Sequence, residues 1–387
     1  MYHFTLYGII STMMKGKRLV KIYTVVLFIV LAYAISHAIP TGRGRGVGSY
    51  VVTTIAGSGI KGALDGYKKE ARFNWPTGVA VDREGNIYVA DFANHLIRKI
   101  GVDGYVETIA GGSMPGFADG NGRKALLKGP DNMIIDASSN LFFADADNFR
   151  IRKMSREGMV TTVAGNGQQG YRDGMADKAM FGYPTGIAID GRGSLYVADR
   201  RTHTVRKVTP DGLVETIGGN GYPGFVDGIG IHSHLREPIS VAVDEDGVVY
   251  IADSGNNVIR VITPDGMLST LAGGSHKGYR DGKGREALFA WPTGIAVGPT
   301  GNIFVCDSIN NRIRRITPDG VVSTVAGGSL QGFADGPGYY ARFNFPTGIY
   351  VDKGDNIFVA DSGNNRIRKI SQGGLFLARK SIPSVHF

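Results

Sequence analysis

The chain has 387 residues, 42% of them apolar and 20% charged, with a formal charge of +9 and a single cysteine. These values exclude a disordered chain, a polytopic membrane protein and a disulfide-stapled scaffold. Its 58 glycines are about twice the ordinary ~7% share, and a periodic structure is one way to use them.

Residues 22–39, IYTVVLFIVLAYAISHAI, carry no charge and follow Lys15, Lys17, Arg18 and Lys21. That pattern predicts a signal peptide over residues 1–38, with Ser36 and Ala38 as the small residues before the cleavage point. Left uncleaved, the same stretch is a signal anchor that keeps the remainder outside the cytoplasm, and it would be the only membrane contact. Secreted or single-pass anchored, the expected route is the secretory pathway. The sequence contains no Asn-x-Ser/Thr acceptor, so glycosylation adds no support for a eukaryotic version of that route. Without those four basic residues the charge is +5, too little to point to a nucleic-acid partner. Residues 39–50 read as a linker.

From residue 51 to residue 374 the chain repeats every 54 residues, six times, without insertion or deletion. Pro76, Pro130, Pro184, Pro238, Pro292 and Pro346 fall in phase, as do Asp91, Asp145, Asp199, Asp253, Asp307 and Asp361. A third column is Arg98, Arg152, Arg206, Arg260, Arg314 and Arg368. Each unit reads as four short strands, at 78–82, 86–91, 96–100 and 106–110 in the first. Their apolar, β-branched character is that of strands covered on both faces. Turns such as Thr263-Pro264-Asp265-Gly266 close the hairpins, Pro fixing one φ and Gly supplying a positive one. The sixth unit lacks a matching fourth strand, and an unmatched copy, Val51-Val52-Thr53-Thr54-Ile55-Ala56-Gly57, stands ahead of the first unit. The fold expected is an all-β, six-bladed β-propeller, most simply a monomer, closed by that N-terminal strand. Residues 375–387 form a tail.

Pro76-Thr77-Gly78-Val79-Ala80-Val81-Asp82, then Gly85-Asn86-Ile87-Tyr88-Val89-Ala90-Asp91 and Asn94-His95-Leu96-Ile97-Arg98, resemble the NHL repeat. The resemblance implies the six-bladed propeller. Many propellers of this family act as binding or sensor platforms. Six-bladed relatives of the lactonase type place acidic and amide ligands at the channel mouth, and cytoplasmic NHL relatives that bind RNA carry zinc-finger segments that this sequence does not show.

Several motifs have structural explanations. Gly57-x-Gly59-x-x-Gly62 matches a dinucleotide fingerprint but lies between two predicted strands, where no helix follows to meet a pyrophosphate. The column Asp65, Asp119, Asp173, Asp227, Asp281, Asp335 always precedes Gly and lacks further acidic ligands, so it reads as a turn rather than a calcium loop. Asp91 and Arg98 flank a short hairpin as diagonal neighbours on one face and are expected to pair in every blade. His95 and His203 share a column, while His232, His234 and His276 scatter through inter-blade loops, so no zinc site is expected. Cys306 replaces a repeat alanine and reads as core.

Function is expected on the face where the long inter-blade connections emerge. Just before the proline column stand Trp75, Gly129, Tyr183, Glu237, Trp291 and Phe345. Trp75, Tyr183, Glu237, Trp291 and Phe345 are therefore candidate contacts for a protein, peptide or glycan. The alternative role for these side chains is to cover the blade ends. Units two and four break the Pro-Thr-Gly rule with Asp131-Asn132 and with Ile239-Ser240 after Glu237, making Asp131, Asn132 and Glu237 candidates for a polar site at the channel mouth. Two blades of six are too few to assign a metal there. The expectation is a non-enzymatic recognition module without a cofactor, outside the cytoplasm; the alternative is a metal-dependent lactonase-like hydrolase.

Overall fold

Each 54-residue unit folds into one antiparallel sheet because its four apolar runs are joined by turns too short for any other pairing. The computed structural model describes residues 50–373 apart from 113 and 275, so the segment 22–39 and the tail 375–387 lie outside the described residues. In the first blade the order from axis to rim is Pro76–Val81, Ile87–Asp91, Leu96–Ile100 and Tyr105–Ala110. Six such sheets stand around an axis, and each innermost strand packs on those of the two neighbouring blades, the last on the first. The sheets have five strands rather than the four expected. A two-residue strand, Gly66–Tyr67 in the first blade, pairs with the rim strand. Two residues are too short to leave a periodic signature.

Closure follows the sequence expectation. Tyr50–Ala56 pairs antiparallel with Arg366–Gln372 of the sixth blade, with Val52 opposite Ile370 and Thr54 opposite Arg368. A strand from the start of the array thus covers the edge left at its end. The core lies between blades. Small residues of one sheet, Ala80, Ala90 and Ala110, meet large ones of the next, Leu127, Leu141 and Phe143. Phe73, Leu127, Phe181, Leu235, Phe289 and Phe343 are all fully buried and plug the blade interfaces. Cys306 is buried in the interface of the last two blades, and loss of solvation raises its thiol well above the ordinary range.

The two polar columns build one device in each blade. Val89 lies opposite Arg98 and Asp91 opposite Leu96, so Arg98 and Asp91 are diagonal neighbours on one face. The Arg98 guanidinium reaches the Asp91 carboxylate at 2.8 Å, and both side chains are fully buried. It also donates to Asp65 at 2.7 Å and to the carbonyls of Leu64 and Arg72. The Asp65 column is therefore more than a turn: it supplies the second carboxylate of a clamp that ties the inter-blade loop to the sheet. Asp91 in turn accepts from the Asn74 amide and the Asn94 side chain, both at 2.8 Å. Burial pushes its carboxyl up to about 6, opposed by these donors and by Arg98, so it remains ionised at neutral pH.

Candidate functional site

Glycine at the third position of the innermost strand decides how closely the blades meet at the axis. A Cβ on Gly78 would lie 2.5 Å from the Asp131 carbonyl, and one on Gly348 would lie 2.1 Å from the Thr77 carbonyl. Blades two and four have Asn132 and Ser240 in that column, and these two side chains meet: Asn132 Nδ2 donates to Ser240 Oγ at 3.2 Å. One position earlier, Thr77, Thr185, Thr293 and Thr347 turn hydroxyls toward carbonyls of the next blade, as Thr185 does to Ile239 at 2.7 Å. Blade two has Asp131 in that ring.

Above the ring opens a cavity of about 360 Å³ at the mouth of the channel. Its wall includes Trp75, Tyr183, Trp291 and Phe345, and its lower part Asp131, Asn132 and Ser240. Two sets of residues singled out separately in the sequence thus converge on one site. Glu237 is placed differently: it is not among the lining residues, and its carboxylate pairs with Arg200 at 3.1 Å. The set Asp131, Asn132 and Glu237 is therefore not brought together as one polar centre.

The backbone that presents the aromatic residues is strained. Trp75, Glu237, Trp291 and Phe345 have φ between 47° and 56°, a region that disfavours side chains. A side-chain acceptor on the preceding blade holds each one. Asn365 Oδ1 accepts the Trp75 amide at 2.9 Å, Asn257 that of Trp291 at 2.8 Å, Asn311 that of Phe345 at 2.8 Å, and His203 Nδ1 that of Glu237 at 3.1 Å. His95 Nδ1 does the same for Gly129 at 3.0 Å. The histidine column is thus a latch between blades. Blade two carries Phe149 in this column, which has no acceptor, and Tyr183 accordingly does not adopt the positive φ. Its amide goes instead to Asp199 Oδ1 at 2.7 Å, and Asp199 also takes the Gly182 amide. Drawn toward those amides, Asp199 stands 3.7 Å from Arg206, the longest such pair in the ring.

Asp131 is only partly exposed, and loss of solvation pushes its carboxyl up to about 6, opposed by a Thr77 hydrogen bond and by the Arg200 charge. Burial also raises the Tyr183 phenol, helped by the charges of Asp131 and Asp147 and by its hydrogen bond to Asp147. Arg200 and Phe92, both lining the cavity, were missed in the sequence. Their column otherwise holds Ala146, Ser254, Ser308 and Ser362, and the three serines donate to proline carbonyls of the next blade at 2.5–2.6 Å. The interruption of that column by one aromatic and one cation was the available signal. No cluster of three metal-binding side chains occurs among the described residues.

Comparison with known proteins agrees with this architecture. The family model described as NHL repeat matches residues 73–100, 181–208, 235–262, 289–316 and 343–370. The chain is 32% identical over 284 residues to Protein SUPPRESSOR OF QUENCHING 1, chloroplastic, of Arabidopsis thaliana, covering 68% of this chain and 27% of that protein. It is 32% identical over 292 residues to human NHL repeat-containing protein 2, covering 65% of this chain and 40% of that protein. The chain therefore spans well under half the length of these relatives. Among solved structures it resembles an auxiliary nutrient binding protein from Bacteroides thetaiotaomicron, with TM-score 0.64, 20% identity, and coverage of 83% of this chain and 76% of that one. That likeness concerns the fold.

Proposed function

The chain belongs to the NHL-repeat six-bladed β-propellers, and from that premise we propose that it is a non-enzymatic recognition module. Its binding face is the one formed by the inter-blade loops and the turns between second and third strands, and its ligand is a protein, peptide or glycan. The observation that carries this reading is the convergence of Trp75, Tyr183, Trp291 and Phe345, from four blades, on one cavity of about 360 Å³. Three of these four rings stand on backbone held at positive φ, and strain retained in this way belongs with function more than with packing. The hydrolase alternative loses its third ligand, because Glu237 is engaged by Arg200.

Replacing Trp75 and Trp291 together with alanine is expected to abolish partner capture in a pull-down without lowering the melting temperature. Unchanged capture would reject the proposal. The setting proposed is extracytoplasmic, on the strength of the basic-then-apolar segment 22–39. No helix among the described residues is long and apolar enough to cross a membrane. N-terminal sequencing of the mature protein, with cell fractionation, tests cleavage after Ala38 against retention as an anchor.

A further inference from the structure

The electrostatics of the channel mouth oppose those of the whole chain. The sequence is basic, at +9, yet the cavity is lined by the carboxylate of Asp131, with a second carboxylate, Asp147, outside the lining but near enough to repel it; neither has a basic side chain within 4 Å among the described residues. Asp131 lines the cavity, accepts a hydrogen bond from Thr77, and feels the attraction of Arg200 and, less strongly, the repulsion of Asp147. Asp147 accepts from the Tyr183 phenol. The cation of the mouth, Arg200, makes its ion pair with Glu237, at 3.1 Å, and not with Asp131.

The aromatic walls extend the same preference, since the face of each ring presents negative charge density. Two of the rings are already used by internal cations: Arg200 lies 5.6 Å from the Trp291 ring, and Arg201 lies 5.3 Å from that of Tyr183. Trp75 and Phe345 pack on each other at 5.7 Å and have no such partner among the described residues. Trp75 is also the most open, at 38% exposure.

We infer that the cavity is a receptor for an alkylammonium group, which Asp131 would pair and the rings of Trp75 and Phe345 would enclose. This specifies the ligand of the recognition reading and rests on it. A volume of about 360 Å³ accepts a side chain or a small amine, not a folded domain. The group is carried by a lysine side chain of a partner or by a free small amine, and the two are separable.

The only tryptophans of the chain, Trp75 and Trp291, both line this cavity, so tryptophan fluorescence, excited selectively over the 17 tyrosines, reports on it. The full chain is titrated with n-butylammonium chloride, with sodium chloride at equal ionic strength, and with the neutral isostere n-butanol. Saturable fluorescence change with butylammonium only, weakened by about tenfold or more in Asp131→Asn at unchanged melting temperature, is the expected result. A blocked lysine peptide that binds more tightly than butylammonium assigns the group to a protein partner; equal binding assigns a free amine. Equal response to butanol, no saturable response to butylammonium, or an Asp131→Asn variant that binds as the wild type does would overturn the inference. The recognition reading would survive that outcome if the Trp75→Ala, Trp291→Ala variant still lost partner capture.

Discussion

Asn132 and Ser240, 108 residues apart and separated by a whole blade, share a hydrogen bond of 3.2 Å beside the propeller axis. In the other four units this position is Gly78, Gly186, Gly294 or Gly348, where a Cβ has no room against the neighbouring strand. Gly186, in the blade between, passes so close that its Cβ would lie 2.4 Å from the Ser240 Cα. The two exceptions to the glycine rule thus accommodate each other across the smallest member of the ring.

That pairing predicts a measurable coupling. In a double-mutant cycle of Asn132→Ala and Ser240→Ala, the coupling energy from urea denaturation should be about 0.5–1.5 kcal/mol, the ordinary net worth of one hydrogen bond. Purely additive effects would mean that the contact contributes nothing to stability.

The clamp at Arg98 should behave as a buried ion pair does when one member is lost. Arg98→Leu leaves the fully buried Asp91 carboxylate without its cation, takes one of two donors from the Leu64 carbonyl, and removes the guanidinium donor of the Arg72 carbonyl. The expected cost is about 3–5 kcal/mol by chemical denaturation. Arg123→Ala removes an exposed partner of Asp65 and should change stability far less.

The histidine latches give stability a pH dependence of defined sign. His95 and His203 accept amides through Nδ1, so only the neutral imidazole makes the contact. Burial lowers the folded pKa of both below the ordinary value of 6.5. The unfolded chain then binds protons first as pH falls, so the latch contribution is complete above pH 6.5 and is lost as pH drops through the lowered folded value. Asp91 and Asp253, raised to about 6 by burial, work in the opposite direction. The histidine contribution is isolated by comparison with His95→Asn, His203→Asn, the residue that blades four to six use in the same column. This variant should lose the acid-side fall in melting temperature that the wild type shows relative to it. Parallel pH profiles would refute the latch.

Closure of the ring makes the strand Tyr50–Ala56 indispensable. Deleting residues 1–48 should leave a soluble monomer by size-exclusion chromatography. Deleting residues 1–57 exposes Arg366–Gln372 as an open edge and should produce aggregation and a lower melting temperature. Identical behaviour of the two truncations would show that another segment closes the sixth blade.

Much of this molecule was legible in the order of its residues. The 54-residue period and the misplaced first strand determined the blade count and the closure, because strand pairing within a blade is local and repeats with the chain. The Asp91–Arg98 pair followed for the same reason: a short hairpin places two residues diagonally whatever surrounds it. The aromatic column Trp75, Tyr183, Trp291 and Phe345, interrupted by Gly129 and Glu237, was also visible in the sequence. What only the tertiary structure decided is how different blades meet. The union of Trp75, Asp131 and Phe345 in one cavity, the pairing of Asn132 with Ser240, the diversion of Glu237 to Arg200, and the latches of His95 and His203 all join residues of separate units. Contacts of that kind depend on the radius of the closed ring and on which blades face each other across it, and an in-phase column gives every blade the same address.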